Sequence, residues 1–359
     1  MDRQDALASV LDRATVTRAE VGVRFPLFAD PCDGRWTTTG RGSWTGGFWA
    51  GLLWLRARWT GAAEDRDAAS SCLARLAPWA DADTATRGLI LWYGTALAAD
   101  DGAAAALRKR AARACLESWD PELGLVPWGS ALGGPRLLAR VDGVPGMVQL
   151  LASAGGEGVA AAGSHLHRQL DLGLDVGGAA GGLLHPAWAF DEGAGWRPCA
   201  DPQPGWSRGR AWLLLAVADA LNRPEAPDWR PERLRAVVER LLAEGDVLAG
   251  PLVPPAEESR PEGPPDTSAA AITAVALLKL SRLGGPGASE FSRRAGAVLD
   301  HLVGTQMSEG DDGRPDGMLL NGCYDAGRGT AVGHELIWGD FFLALGLAAV
   351  SGLVDVSEV

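Results

Sequence analysis

Lysine is almost missing from this sequence: only Lys109 and Lys279 occur, and arginine supplies the other 31 of its 33 basic residues. That skew reflects a GC-rich coding sequence rather than a function. Positive charge as a whole is scarce too, with 45 acidic residues against the 33 basic ones, a net charge of −12 and a pI near 4.9. A chain of that sign repels phosphate backbones and anionic lipid, which argues against nucleic-acid and membrane partners. No apolar run approaches the roughly 20 residues of a membrane-spanning helix. Cysteine is sparse and scattered: Cys32, Cys72, Cys115, Cys199 and Cys323 form neither a Cys-x-x-Cys pair nor a disulfide framework. Five histidines without metal-ligand spacing leave no basis for a metal. There is no dinucleotide fingerprint, no P-loop and no nucleophile elbow; the glycine-rich run at 177–182 has no phosphate-loop context. The opening Met-Asp-Arg-Gln-Asp carries no basic n-region and h-region, so the expectation is a cytoplasmic protein.

What is present is apolar residue, at 47% of 359 positions, and tryptophan, at 15 against two tyrosines. The first can build a large core; the second offers platforms for sugar rings and other flat apolar surfaces. Helical periodicity dominates. It predicts helices near 5–20, 46–60, 65–78, 87–99, 103–118, 143–155, 156–172, 207–222, 231–243, 267–283, 287–304 and 334–352. Only 123–127 and 183–190 read as extended pieces able to pair. Twelve helices make six consecutive pairs, which predicts an all-α fold, an (α/α)6 barrel formed as a single domain over residues 1–359.

A second pattern runs with the first. Each even-numbered helix is opened by a polar, aromatic and glycine-rich cluster: residues 43–49, 83–88, 140–143, 206–212, 266–272 and 333–340. The odd-numbered helices carry ordinary one-sided sequence, such as Leu234, Val237, Val238 and Leu241. If every second helix lines the inside, the six clusters meet at one end of the barrel.

These clusters resemble those of the unsaturated glucuronyl hydrolases, glycoside hydrolase family 88, which are (α/α)6 barrels. The resemblance covers nearly the whole chain. It is carried by Trp44-Thr-Gly-Gly-Phe-Trp, by Trp206-x-Arg208-Gly-x-Ala-Trp212, by Asp266-Thr-Ser, by Asn321-Gly-Cys-Tyr324 and by Leu336-Ile-Trp-Gly-Asp340. It implies hydration of the C4=C5 vinyl ether of an unsaturated uronic acid. An aspartic acid protonates C4, water adds at C5, and the hemiketal collapses with loss of the aglycone. Such chemistry needs a protonated carboxyl, a positioned water and a group that recognises the uronate carboxylate. It needs no cofactor, and its partner is a small sugar or sugar-like substrate.

By that resemblance Asp142 is the catalytic acid/base, although an aspartate there is equally placed to cap a helix. Trp44, Trp128, Trp206 and Trp212 fall where the family stacks aromatics around its sugar, with packing in the core as the alternative. Arg208 is placed as an anion anchor, and His185 matches a site histidine. Glu335, beside His334, is a candidate partner for Asp142 across the cavity, against a plain helix-terminal charge. Asp340 reads as structural. One departure stands out: where the family carries histidine and a second aspartate, this chain has Ala85 and Thr86. A nearby anion favours the protonated form of its partner carboxyl, and Thr86 supplies none; Arg87, if it pointed inward, would oppose that form. Two other readings follow from this departure: a different acid/base reaction (cyclisation, dehydration or isomerisation) on a biosynthetic intermediate, or carbohydrate binding without catalysis.

Overall fold

The computed structural model describes residues 1–98, 100–174, 182–310 and 313–359; all but one residue of the glycine-rich run at 177–182 lies outside them. Among the described residues there are twelve α-helices: α1 (Arg3–Val21), α2 (Gly46–Thr60), α3 (Ala63–Ala74), α4 (Tyr93–Ala96), α5 (Gly102–Glu117), α6 (Met147–Ala152), α7 (Gly156–Leu174), α8 (Ser207–Asn222), α9 (Pro231–Glu244), α10 (Thr267–Arg282), α11 (Ala288–Thr305) and α12 (Ile337–Val350). The fourth is a composite, a π-helical turn at Gly88–Trp92 that runs into α4. None of these helices is long and apolar enough to cross a membrane.

Sequence decides which helices lie inside. In α9 the buried residues are Leu234, Val237, Val238, Leu241 and Leu242, a single stripe. In α12 every residue from Ile337 to Ala348 is buried, and in α8 every residue from Ser207 to Ala220. A helix apolar all round is stable only when surrounded by protein. The even-numbered helices contact one another in succession: α2 with α4, the π turn with α6, then α6–α8, α8–α10, α10–α12, and α12 back onto α2. Glycine permits the tightest of these contacts. A Cβ on Gly47 would lie 2.2 Å from the Leu89 carbonyl oxygen, and one on Gly88 would lie 2.3 Å from the Met147 nitrogen.

Two small antiparallel sheets accompany the helices, which the all-α expectation did not include. One has the order β2-β1-β7-β6, from β1 (Phe25–Ala29), β2 (Trp36–Thr39), β6 (Gly322–Asp325) and β7 (Thr330–Leu336). The other is β3-β4-β5, from β3 (Leu138–Arg140), β4 (Ala187–Asp191) and β5 (Gly195–Pro198). Of the two expected extended pieces, 183–190 overlaps β4, whereas 123–127 contributes only the isolated Asp120–Leu125 bridge. The last helix begins at Ile337 rather than at 334, so His334 and Glu335 belong to β7, with Glu335 paired to Ala29. These strands are short, and β1 pairs with a segment some 300 residues away, so no local alternation announces them.

Among the described residues, all seven strands fall in the connections that lead from an odd helix to the next even one. The even-to-odd connections are brief turns, such as 61–62 and 153–155. The end of the molecule at which the even helices begin is therefore the one built up with loops and sheets, and the clusters sit there.

Candidate active site

A cavity of about 690 Å³ opens at that end. Its walls carry Trp44, Trp128, Asp142, Trp206, Arg208 and Trp212, six of the eight residues singled out from the sequence. Trp44 stands on the helical turn 43–45 ahead of α2; its indole Nε1 donates to the Tyr324 hydroxyl at 3.2 Å, and its ring lies 4.8 Å from Trp338. Trp212, fully buried on α8, stacks on Phe48 with ring centroids 6.0 Å apart and closes the floor. Trp206 is the N-cap residue of α8, at the rim.

Asp142 sits on the turn 141–143 that follows β3, its side chain 15% exposed. Arg140 holds both of its oxygens: Nε donates to Oδ1 and Nη2 to Oδ2, each at 3.0 Å. The same guanidinium lies 4.6 Å above the centre of the Trp128 ring. Burial works against the Arg140 charge, but the adjoining Asp142 carboxylate outweighs it and raises the pKa of Arg140 above its ordinary value. A carboxylate offers about four lone-pair positions, so after both arginine bonds each oxygen keeps one for a ligand, a water or a proton.

Arg208 lines the wall, yet its bonds run into the protein. Nη1 donates to Asp266 Oδ2 at 2.6 Å and to the Cys323 carbonyl at 2.5 Å, and Nη2 donates to the Tyr324 carbonyl at 2.7 Å. Asp266 in turn caps α10 and accepts from the Ser268 hydroxyl. The expected anion anchor is thus the clamp that fixes β6 and Tyr324 against α8 and α10.

Two of the eight residues, Glu335 and His185, do not line this cavity. Glu335 is fully buried and takes Arg13 in a bidentate pair, Nε–Oε1 at 3.1 Å and Nη2–Oε2 at 2.7 Å. As a strand residue rather than a helix residue it turns toward Arg13 of α1. Burial raises its pKa, with Arg13 opposing. His185 is absent from the cavity wall; its ring packs 5.7 Å from Trp188. In the second cluster, Thr86 shares a 2.9 Å hydrogen bond with Thr84, and Arg87 donates to the carbonyls of Thr84 and Ala80 instead of pointing into the cavity. Asp340 is buried in α12. Clusters one, three and four therefore form the wall, while two, five and six brace it from behind.

Sequence reasoning passed over Arg140, Tyr324 and the pair Asp201–Arg328, which spans the mouth of the cavity. A signal existed for the first two, since Arg140 lies two residues before Asp142 and Tyr324 ends a quoted motif. The Asp201–Arg328 pair joins loops 127 residues apart and left none. Among the described residues no group of three or more histidine, cysteine, aspartate or glutamate side chains has metal-binding geometry.

No family profile matches the chain. Among curated proteins, the unsaturated glucuronyl hydrolase of Bacillus sp. (strain GL1) is 24% identical over 363 aligned positions, covering 94% of each chain. The crystal structure of unsaturated glucuronyl hydrolase from Bacillus sp. GL1 superposes with a TM-score of 0.82 at 22% identity, covering 97% of each chain. An unsaturated glucuronyl hydrolase specific for heparin gives 0.80 at 17% identity, over 99% of this chain and 98% of the other. An Asp-to-Asn variant from Streptococcus agalactiae, in complex with dGlcA-GalNAc6S, gives 0.75 at 16% identity, over 96% of this chain and 90% of the other. In fold and along nearly its whole sequence, the chain resembles these hydrolases.

Proposed function

We propose that this chain, a relative of the unsaturated glucuronyl hydrolases, is a hydrolase of the glycoside hydrolase family 88 type. The ring of even-numbered helices is then the inner layer of an (α/α)6 barrel, and the cavity at its mouth holds an unsaturated uronic acid glycoside or a closely related sugar. One observation carries the reading: a partly exposed carboxylate, Asp142, faces an aromatic-walled cavity large enough for a sugar ring.

In this reading Asp142 takes up a proton from solvent at the lone-pair position not used by Arg140 and delivers it to C4 of the vinyl ether. The proton is regained from the water that adds at C5, so the carboxyl ends the cycle as it began. Loss of the aglycone from the hemiketal completes the reaction. Trp44, Trp206 and Trp212 bound the ring and keep bulk water from it. Thr86 supplies no second carboxylate, which leaves Asp142 as the one acid/base group in this scheme.

The test is turnover of an unsaturated glucuronyl disaccharide, followed by the disappearance of the ultraviolet absorbance of its C4=C5 bond. Asp142→Asn should lower the rate by about 10²- to 10⁴-fold, the usual worth of a general acid/base, in a variant that circular dichroism shows to be folded. A wild-type chain that leaves the chromophore intact, or an Asp142→Asn variant of normal rate, refutes the reading.

A further inference from the structure

The three arginines on the cavity wall differ in how much of each guanidinium is already used. Both Nη atoms of Arg208 are committed to Asp266, Cys323 and Tyr324, and its Nε is buried without a partner. Arg328 pairs with Asp201 across the mouth, its side chain 71% exposed. Arg140 uses only its Nε and Nη2 hydrogens, both toward Asp142. No residue among those described bonds its Nη1, and that atom is not sealed from the cavity.

A guanidinium presents two forks, one between Nε and Nη2 and one between Nη1 and Nη2, each able to grip a carboxylate with two parallel bonds. In Arg140 the first fork is filled by Asp142 and the second is open. We propose that the open Nη1–Nη2 fork of Arg140 is the receptor for a ligand carboxylate in this cavity. The proposal rests on the sugar-acid reading above and deepens it by naming the group that recognises the acid.

Three features support it. The Trp128 face beneath the guanidinium and Asp142 beside it fix both the plane and the rotation of the fork, so little side-chain entropy is lost when a ligand binds. The other two arginines of the wall already carry carboxylate partners, Arg208 with Asp266 and Arg328 with Asp201 and Asp325. The chemistry also fits: the carboxylate of an unsaturated uronic acid is attached to C5, next to the C4 that takes the proton. A ligand carboxylate on one fork and Asp142 on the other occupy adjacent edges of one guanidinium, which share Nη2.

Equilibrium binding to the whole chain separates this from catalysis. The probes are a saturated glucuronyl disaccharide, which has the carboxylate but no double bond to hydrate, and its neutral methyl ester. The wild type should bind the acid about 10- to 100-fold more tightly than the ester, as a charged hydrogen-bonded contact implies. In Arg140→Gln that preference should vanish. Arg140→Lys keeps the charge, loses the fork and should retain only part of the preference. It carries the test if Arg140→Gln does not fold. A wild type that binds both probes equally, or neither, overturns the proposal, as does a preference undiminished in the variants. Acid-selective binding that depends on Arg140, together with an unsaturated disaccharide left intact, would sink the hydrolase reading and leave this one standing.

Discussion

Glu335 and Arg13 lie 322 positions apart and meet in a bidentate ion pair whose side chains are 0% and 3% exposed. The pair ties β7, and through it the last inner helix, to the first helix of the chain. Removing one partner strands the other as a buried charge, a loss of about 3–5 kcal/mol. Glu335→Ala should therefore lower the free energy of urea unfolding by that amount. Replacing both residues with apolar side chains of similar volume should recover most of it. A fall in stability under 1 kcal/mol would mean that the pair behaves as an exposed one.

Asp340, in the same region, offers a test through pH. Burial, with a smaller contribution from the Glu335 carboxylate, raises its pKa well above the ordinary carboxylate value, and its Oδ1 has no hydrogen-bond partner. The folded state thus holds a proton there that the unfolded chain releases at lower pH. The stability this contributes is complete below the ordinary carboxylate range and is lost as pH rises toward the elevated folded value. Asp340→Asn removes the dependence. The difference in unfolding free energy, wild type minus variant, should become steadily less favourable to wild type as pH rises from 4 toward neutral. A difference independent of pH would contradict it.

Gly47 meets the carbonyl oxygens of Leu89 and Ile90 at positions that would lie 2.2 and 2.3 Å from an added Cβ. Neither backbone oxygen can yield without breaking the helical turn to which it belongs. Gly47→Ala should cost more than about 2 kcal/mol and lower activity by displacing α2. At Gly102, where a Cβ would meet nothing within 4 Å, the same substitution should be neutral or stabilising by about 0.5–1 kcal/mol. Thermal melts of the two variants decide the matter.

Trp44 is joined to Tyr324 by a hydrogen bond and to Trp338 by ring contact, so its indole is held rigid where it faces the cavity. Trp44→Ala should raise KM for the unsaturated disaccharide by about 5- to 20-fold, the worth of one lost stacking face, with a smaller change in kcat. Trp44→Phe should restore most of the affinity while lacking the bond to Tyr324. Equal KM in all three proteins would remove Trp44 from the binding surface.

Much of this molecule could be read from local pattern alone. Helix α2 at 46–60 and α8 at 207–222 have the bounds that their periodicity predicts, because an apolar stripe or an all-apolar run depends on neighbours three and four positions away. Three of the six clusters that open the even helices line the cavity, and the other three pack behind it. Pairings between distant segments were not legible. Glu335 looks the same in sequence whether it faces a substrate or Arg13, and Arg208 looks the same whether its fork is open or already bound by Asp266, Cys323 and Tyr324. Only the folded chain chose Arg140 as the arginine with a free edge, because which donors remain unspent depends on every acceptor that folding brings within reach.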